Sequence, residues 1–119
     1  SRDNHSMNWD IVRANLAVLI EARDISHTKL AAETGVPQPT ISRFLSGTNN
    51  SMELENLHAL ARALDSSVSA LLGEIPLVAD AKIARVARVM ETMAEYKKDA
   101  VVAVVNSLVD TKTRNGSGQ

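Results

Sequence analysis

The sequence contains no cysteine, and it has one tryptophan, one tyrosine and one phenylalanine in 119 residues. Without cysteine the chain can form no disulfide, no thiolate nucleophile and no cysteine-based zinc site, which fits a reducing cytoplasm. Because 45% of the residues are hydrophobic but few are aromatic, leucine, valine, isoleucine and alanine must build the core. This composition favours a small helical bundle, and the length suits one compact domain with an appendage.

Long hydrophobic runs are absent as well. The longest has six residues, Ala100 to Val105, whereas a helix needs about 20 to cross a bilayer. No basic segment leads into an apolar stretch at the start of the chain, so no secretory signal is visible. We therefore expect a soluble, cytoplasmic protein. Residues 1–6 precede the first methionine, Met7, and we interpret residues 1–8 as an arm or a tag remnant.

The charge balance and the polar residues exclude several classes of function. A formal net charge of −1 at pH 7 gives no basic surplus, so any nucleic-acid binding must depend on local geometry. The three histidines, His5, His27 and His58, fall on separate predicted elements, so we expect no metal site. No nucleophile has a base at a readable spacing and no glycine-rich loop precedes a helix, so we expect no enzyme and no cofactor.

Apolar residues recur at helical spacing through the first 73 residues. Polar residues that suit a helix N-cap mark the starts of four segments, and Gly35 after the second segment suits a left-handed C-cap. We therefore predict five helices around one small core. The predicted helices are 9–23, 27–34, 38–46, 52–64 and a short one over "SVSALL", and the predicted N-caps are Asp10, Ser26, Ser51 and Ser67.

The stretch "GVPQPTISRFLSG", Gly35 to Gly47, predicts a short helix with two unlike faces. Its first turn tolerates proline because the N–H groups there have no intrahelical partners, and the fixed φ of proline favours a helix start. Within it Ile41, Phe44 and Leu45 fall on one face at spacings of three and four residues. The other face carries Gln38, Pro39, Ser42 and Arg43.

After a predicted hinge at residues 74–78, the hydrophobic pattern narrows to single stripes. We predict helices at 79–94 and 97–109, each with one apolar stripe that a lone helix cannot bury. The valine-rich part of the second segment could form a strand instead, but the sequence offers no second strand to pair with it. The stripes comprise Ile83, Val86, Met90 and Met93 in the first helix and Val101, Val104, Val105 and Leu108 in the second.

These stripes suggest that residues 79–110 form a helical hairpin that pairs with a second copy in a two-fold, four-helix interface. The alternative is a tail that folds back on its own domain. Packing at an interface explains Met90 and Met93 better than a ligand site does. The expected oligomer is a homodimer, and we expect residues 111–119 to be disordered.

Two short helices joined by a tight turn that contains glycine form a helix-turn-helix, whose second helix enters the major groove of DNA. The segments "ISHTKLAAETGVPQPTISRFLSG" and "LENLHALARALDSSVSALL" resemble the lambda-repressor-like, Cro/XRE class of bacterial and phage DNA-binding domains. The resemblance implies an all-α, five-helix DNA-binding domain at residues 9–73, followed here by the C-terminal helical hairpin. Matching residues include Leu30-Ala31, Gly35-Val36, Ile41-Ser42-Arg43, Gly47 and the run from Leu60 to Leu64.

The resemblance assigns base contacts to the outer row of the third helix. Gln38 matches a position that bonds a base edge, and an amide side chain suits adenine. Arg43 matches a position one turn deeper, where guanine is its natural partner. Pro39 has no hydrogen-bond donor, so the resemblance leaves it only an apolar contact, such as one with a thymine methyl. Thr40 can reach either a base or a phosphate.

The resemblance also implies contacts to the DNA backbone, and the chain departs from the family pattern at two places. His27 stands where the family usually has a glutamine that anchors a phosphate and braces the first base reader, although it can equally be a plain capping or surface histidine. Ile20 and Leu45 stand where many members pair Arg with Glu, and an apolar pair is often as stable. The expected backbone contacts are His27, Thr28, Lys29, Ser42, Ser46 and Asn49.

We therefore expect a transcriptional regulator, a repressor of phage or bacterial type, that binds double-stranded DNA at an inverted-repeat operator as a homodimer. Residues 26–50 carry a surplus of only one positive charge, so one domain alone should bind weakly. Two alternatives stay open. An antitoxin would bind a toxin protein as well as DNA, and a helical interaction adaptor would have lost DNA binding, which the near-neutral charge would explain.

Overall fold

The computed structural model describes residues 7–109, and within that range the chain forms seven helices and no strand. The all-α fold predicted from the sequence is confirmed. The valine-rich segment at 101–105 is helical, so the strand alternative is wrong. Over the described range no helix is both long and apolar enough to cross a membrane. The helices are α1 (Trp9–Arg23), α2 (His27–Thr34), α3 (Gln38–Ser46), α4 (Leu54–Ala63), α5 (Val68–Leu71), α6 (Ala81–Glu91) and α7 (Glu95–Ser107).

The chain divides between Arg88 and Val89 into two compact units. The described part of the first unit contains α1 to α5 and most of α6, and that of the second contains the end of α6 and α7. The domain divisions drawn from the sequence stay predictions. Residues 1–6 of the predicted arm and the predicted tail at 111–119 lie outside the described residues.

The helices of the first unit begin and end largely where local sequence signals place them. The Ser26 hydroxyl accepts a hydrogen bond from the Lys29 N–H at 3.0 Å, and the Ser67 hydroxyl accepts one from the Ala70 N–H at 3.1 Å. Each bond satisfies a first-turn N–H that the helix itself leaves without a partner. The predicted caps of α2 and α5 are therefore confirmed.

The predicted cap of α1 is wrong. Its N-cap is Asn8, whose side-chain oxygen accepts a hydrogen bond from the Ile11 N–H at 3.2 Å. Asn8 has the extended backbone that an N-cap requires, whereas Asp10 already lies in the first helical turn. There the carboxylate of Asp10 faces the positive end of the helix dipole and pairs with Arg13 at 3.0 Å.

The predicted start of α4 is wrong as well. The helix begins at Leu54, and its cap position is held by Glu53, whose side chain makes no capping bond, rather than by Ser51. Met52 is only 8% exposed and belongs to the core. This side chain reaches the core from the loop, the backbone at Glu53 is extended with φ −62° and ψ 139°, and the helix starts after it.

The two C-terminal helices differ slightly from their predicted ranges. α6 ends at Glu91 rather than at 94, so Met93 of the predicted stripe lies beyond the helix. The Asp80 carboxylate accepts hydrogen bonds from the Lys82 and Ile83 N–H groups at 2.9 and 3.0 Å, so α6 begins at Ala81 rather than at 79. α7 begins at Glu95 rather than at 97, and its first turn contains an ion pair between Glu95 and Lys98 at 3.1 Å.

The core of the first unit is built from one face of each of its first five helices. α2 packs against α3 and α4, α1 packs against α3 and α5, and α4 packs against α5. Phe44 is fully buried, and the Trp9 ring meets it edge-on with the ring centroids 5.8 Å apart. The other large, fully buried side chains are Val12, Leu16, Leu19, Leu30, Val36, Ile41, Leu57, Leu60, Leu64 and Leu71.

Arg23, the last residue of α1, holds the segment that precedes α6 close to the end of α4. Its Nε and Nη2 donate to the Leu64 carbonyl at 3.0 and 2.8 Å. Nη2 also donates to the Val78 carbonyl at 3.4 Å, and Nη1 donates to the Ala79 carbonyl. Leu77 is partly buried against the core. Residues 77–79 are therefore held on the helical domain by both apolar and polar contacts.

We predict that Leu57→Ala lowers the free energy of unfolding by about 2–5 kcal/mol, because it leaves a cavity in the core. Leu57 is completely buried, whereas Leu54 on the same helix is 57% exposed. Leu54→Ala is therefore the matched control, with an expected change of about 0.5 kcal/mol or less. Urea unfolding followed by circular dichroism measures both variants, and equal losses in the two would contradict the core described above.

Candidate nucleic-acid interface

A turn that Val36 anchors in the core sets α3 against α2. Gly35 ends α2 with φ 82°, in the left-handed region that glycine enters without strain. Val36 follows and is 2% exposed, so the turn is anchored in the core. Pro37 occupies the N-cap position of α3 and Pro39 lies in its first turn, where no intrahelical N–H bond is lost. The two prolines begin the helix as the sequence predicts.

α3 separates its side chains into a buried face and an outer row. Ile41 and Phe44 are fully buried, and Leu45 is partly buried against the core. A helix of nine residues that buries this face must turn its remaining side chains outward. The outer row consists of Gln38, Pro39 and Arg43, which are exposed, and of Thr40 and Ser42, which are half-buried.

The Ser42 hydroxyl connects the start of α2 with the start of α3. It lies 2.9 Å from Nδ1 of His27 and accepts a hydrogen bond from Nε2 of Gln38 at 2.8 Å. Because the hydroxyl can donate one hydrogen bond and accept others, it can serve both neighbours at once. We call this set His27, Ser42 and Gln38 the serine bridge.

The serine bridge leaves the Gln38 amide with the groups that base reading requires. One N–H of the amide is donated to Ser42. The amide has a second N–H and a carbonyl oxygen, and among the described residues neither makes a hydrogen bond to a side chain. Adenine presents one acceptor and one donor in the major groove, which such an amide can match in pairs. The bridge therefore limits how the Gln38 amide rotates and leaves its second N–H and its carbonyl oxygen available for a base.

The bridge was visible in the sequence only in part. Gln38 and Ser42 are four residues apart on one helix, a spacing that brings two side chains together. The contact of His27 with Ser42 crosses from one helix to another over 15 residues, and no periodic pattern marks it. The resemblance suggested that a residue at the start of α2 braces Gln38, and the histidine here reaches Gln38 through the intervening serine.

The remaining expected contact residues lie around both ends of α3 and at the start of α2. Thr28 and Lys29 are exposed in the first turn of α2. Ser46 donates to the Arg43 carbonyl at 3.1 Å and lies 3.0 Å from the Thr48 hydroxyl. The Asn49 N–H donates to the Arg43 carbonyl at 3.0 Å, which folds the loop back over the end of the helix. Their assignment to the DNA backbone stays a prediction.

The charge on this surface is small. Lys29 and Arg43 are exposed and Glu33 on α2 is exposed as well. Phosphate contacts by side-chain charge are thus few, and hydroxyl, amide and backbone N–H groups would supply the remainder. Ile20 and Leu45 stand where many members of the resembling family have an ion pair. They are 7% exposed and partly buried, respectively, and add no charge to this surface.

Comparison with known proteins agrees with this geometry. The profile of the Cro/C1-type HTH DNA-binding domain matches residues 15–76, slightly more than half of the chain. The chain is 36% identical over 67 residues to an uncharacterized HTH-type transcriptional regulator of Coxiella burnetii (strain RSA 493 / Nine Mile phase I). That alignment covers 56% of this chain and 31% of the relative, so the chain spans about a third of the relative's length. No solved structure matches the chain.

The matched range contains all of α2 to α5 and therefore includes the turn at Val36, the outer row and the serine bridge. Helix order, turn geometry and sequence similarity all indicate one domain type. The chain belongs to the family of the Cro/C1-type HTH DNA-binding domain, as its sequence resemblance predicted.

Proposed function

We propose that this protein is a repressor that reads an inverted-repeat operator in double-stranded DNA through α3 and binds it as a homodimer. The observation that carries the proposal is the outer row of α3, where the Gln38 amide is oriented by Ser42 and Arg43 is exposed beyond it. This role would put the protein in the compartment that holds the DNA, the cytoplasm of a bacterial cell.

Each residue of the outer row suits a particular partner in the major groove. Gln38 would pair with adenine, and the guanidinium of Arg43 would pair with the two acceptors of guanine. Thr40 would contact a base or a phosphate, and Pro39 would contact a thymine methyl. The backbone contacts would come from His27, Thr28, Lys29, Ser42, Ser46 and Asn49, which surround the ends of the two helices.

The exposed apolar residues of the C-terminal helices support dimerisation. Ile83 and Val86 on α6 are 60% and 51% exposed. Val104 and Val105 on α7 and Leu108 at its C-cap are more than half exposed. Soluble monomers rarely leave so many large aliphatic side chains on neighbouring helical turns in water. The other members of the predicted stripes, Met90, Met93 and Val101, are half-buried in the single chain.

A dimer would also offset the small positive charge of each DNA-binding domain. One domain offers few cations, so its phosphate contacts contribute little affinity. Two domains related by a two-fold axis would double those contacts and would match an inverted repeat, with half-sites about 10 base pairs apart or at multiples of that spacing.

We predict that Gln38→Ala and Arg43→Ala each weaken binding to a selected DNA site by about 10- to 100-fold, because each removes a paired base contact. The site is first obtained by selecting wild-type protein on a random DNA pool, and affinities are then measured by fluorescence anisotropy. Arg62→Ala is the control: Arg62 is exposed on α4, so the variant loses the same charge outside α3. Equal losses in all three variants would contradict base reading by α3.

We predict that Ser42→Ala relaxes sequence preference at the base read by Gln38 while leaving the protein folded, because the amide loses its bonded partner. The preference for that base should fall by about fivefold or more. Ser46→Ala is the matched control, since Ser46 lies on the same helix but contacts Arg43 and Thr48. It should weaken all sites alike. Binding profiles for the four bases at that position measure both variants, and an unchanged profile for Ser42→Ala would refute the bridge's role.

We predict that Val86→Glu converts the dimer to a monomer, because it places a charge on the apolar row of α6. Ala87 is also exposed on α6 but lies outside the predicted stripe, so Ala87→Glu should stay dimeric. Sedimentation velocity at about 10 to 50 µM measures the mass of each. A monomeric wild-type protein would contradict the proposed dimer and would favour a different protein on these helices, as the antitoxin alternative requires.

A further inference from the structure

Arg13 of α1 makes several of its hydrogen bonds to the end of α3 and to the loop that follows it. Its Nε donates to the Phe44 carbonyl at 2.7 Å. Its Nη2 donates to the Asn49 carbonyl at 3.1 Å and approaches the Asn50 carbonyl at 3.5 Å. Its Nη1 donates to the Asp10 carboxylate at 3.0 Å. The guanidinium is therefore engaged with the protein itself on all three nitrogens.

The same guanidinium lies over the ring of Phe44 in the core. Its central carbon lies 4.8 Å from the centroid of the Phe44 ring, within the range of a cation–π contact. Trp9 meets that ring edge-on. The Arg13 side chain is only 19% exposed, and its bond to the Phe44 carbonyl is partly buried, so water screens that bond less than the bonds of a surface arginine. The bond to the Asn49 carbonyl is exposed. The side chain is thus held in place by packing as well as by hydrogen bonds.

The position of this charge suits the end of a helix. The last carbonyl groups of α3 carry the negative end of the helix dipole, and a cation there is favourable. The Phe44 carbonyl accepts from the Gly47 N–H at 3.1 Å as well as from Arg13. The Asn49 backbone is fixed on both sides, because its N–H donates to the Arg43 carbonyl and its carbonyl accepts from Arg13.

Apolar packing alone does not fix α3 so closely. Ile20 and Leu45, at the positions where the resembling family holds an ion pair, contribute burial without directional bonds. Burial resists separation of two helices but tolerates small rotations and slides, because the hydrophobic effect is non-directional. Hydrogen bonds depend steeply on angle and distance. The bonds of Arg13 supply the missing directional constraint from a different turn of α1.

We propose that Arg13 is a positioning residue for DNA recognition: it fixes the angle of α3 and holds the 47–50 loop where Asn49 can meet a phosphate. The inference rests on the proposed function of α3. Because Nε, Nη1 and Nη2 each already donate to a group of this domain, Arg13 acts through α3 and the loop rather than through a contact of its own with DNA. Its loss therefore lowers the ability to distinguish a correct site from other DNA, rather than the general attraction to phosphate.

The test compares wild type with Arg13→Met, which keeps the length of the side chain, and Arg13→Lys, which keeps its charge. Arg62→Met is the control for lost charge outside this contact. Affinities are measured for the selected site and for an unrelated duplex of equal length, over a series of salt concentrations. Hydrogen exchange of the Asn49 amide reports on the loop directly, and urea unfolding identifies the conditions in which each variant is fully folded.

We expect Arg13→Met to reduce the ratio of selected to unrelated affinity by about tenfold in fully folded protein, and to speed exchange of the Asn49 amide. Arg13→Lys should recover only part of this ratio, because an ammonium cannot bond two separated carbonyls in a planar fork. The slope of log affinity against log salt concentration should match wild type for Arg13→Met. In Lys29→Met that slope should fall by the equivalent of about one phosphate contact.

Three results would overturn the inference. A ratio unchanged in Arg13→Met would show that α3 keeps its position without the arginine. A reduced salt slope in that variant would show that Arg13 contacts phosphate directly. Recovery of the full ratio by Arg13→Lys would show that charge rather than directional bonding matters. Failure of wild type to select any DNA site would instead overturn the proposed function, and this inference with it.

Discussion

The burial of one face of α3 is the constraint on which the rest of the structure depends. A helix of nine residues is too short to be stable alone in water, and α3 starts without a side-chain cap. It persists because Ile41 and Phe44 enter a core formed with α1 and α2. Because that face is buried, the outer row on the opposite side of α3 faces solvent. The outer row of α3 is thus a consequence of how the core is packed.

Polar contacts then determine how exactly that surface is held. At the start of α3 the hydroxyl of Ser42 lies between His27 and Gln38, and at its end Arg13 bonds the Phe44 and Asn49 carbonyls. Each end of the helix is therefore bonded to a different neighbouring helix. A short helix fixed at both ends has little freedom to tilt, which suits a surface whose contacts must match base edges within a few tenths of an ångström.

The charge pattern separates the tasks of the basic residues. Arg13 and Arg23 donate hydrogen bonds to backbone carbonyls inside the first unit. Lys29 on α2 and Arg43 in the outer row of α3 are exposed. A net charge of −1 is compatible with the proposed DNA binding, in which the attraction would come from a few exposed groups rather than from a basic patch. In the proposed function, this limited charge would make geometry and the pairing of two domains more important to affinity.

The sequence by itself determined the helical class, the caps at Ser26 and Ser67, and the two faces of α3. These features follow from local propensities and from periodicity within one helix, which neighbouring residues alone encode. The tertiary structure alone decided that Met52 lies in the core just before α4 begins. It also decided that Arg13 donates a hydrogen bond to a loop 36 residues away. Such contacts leave no periodic trace, because they depend on which distant carbonyl groups the packing brings within reach of one side chain.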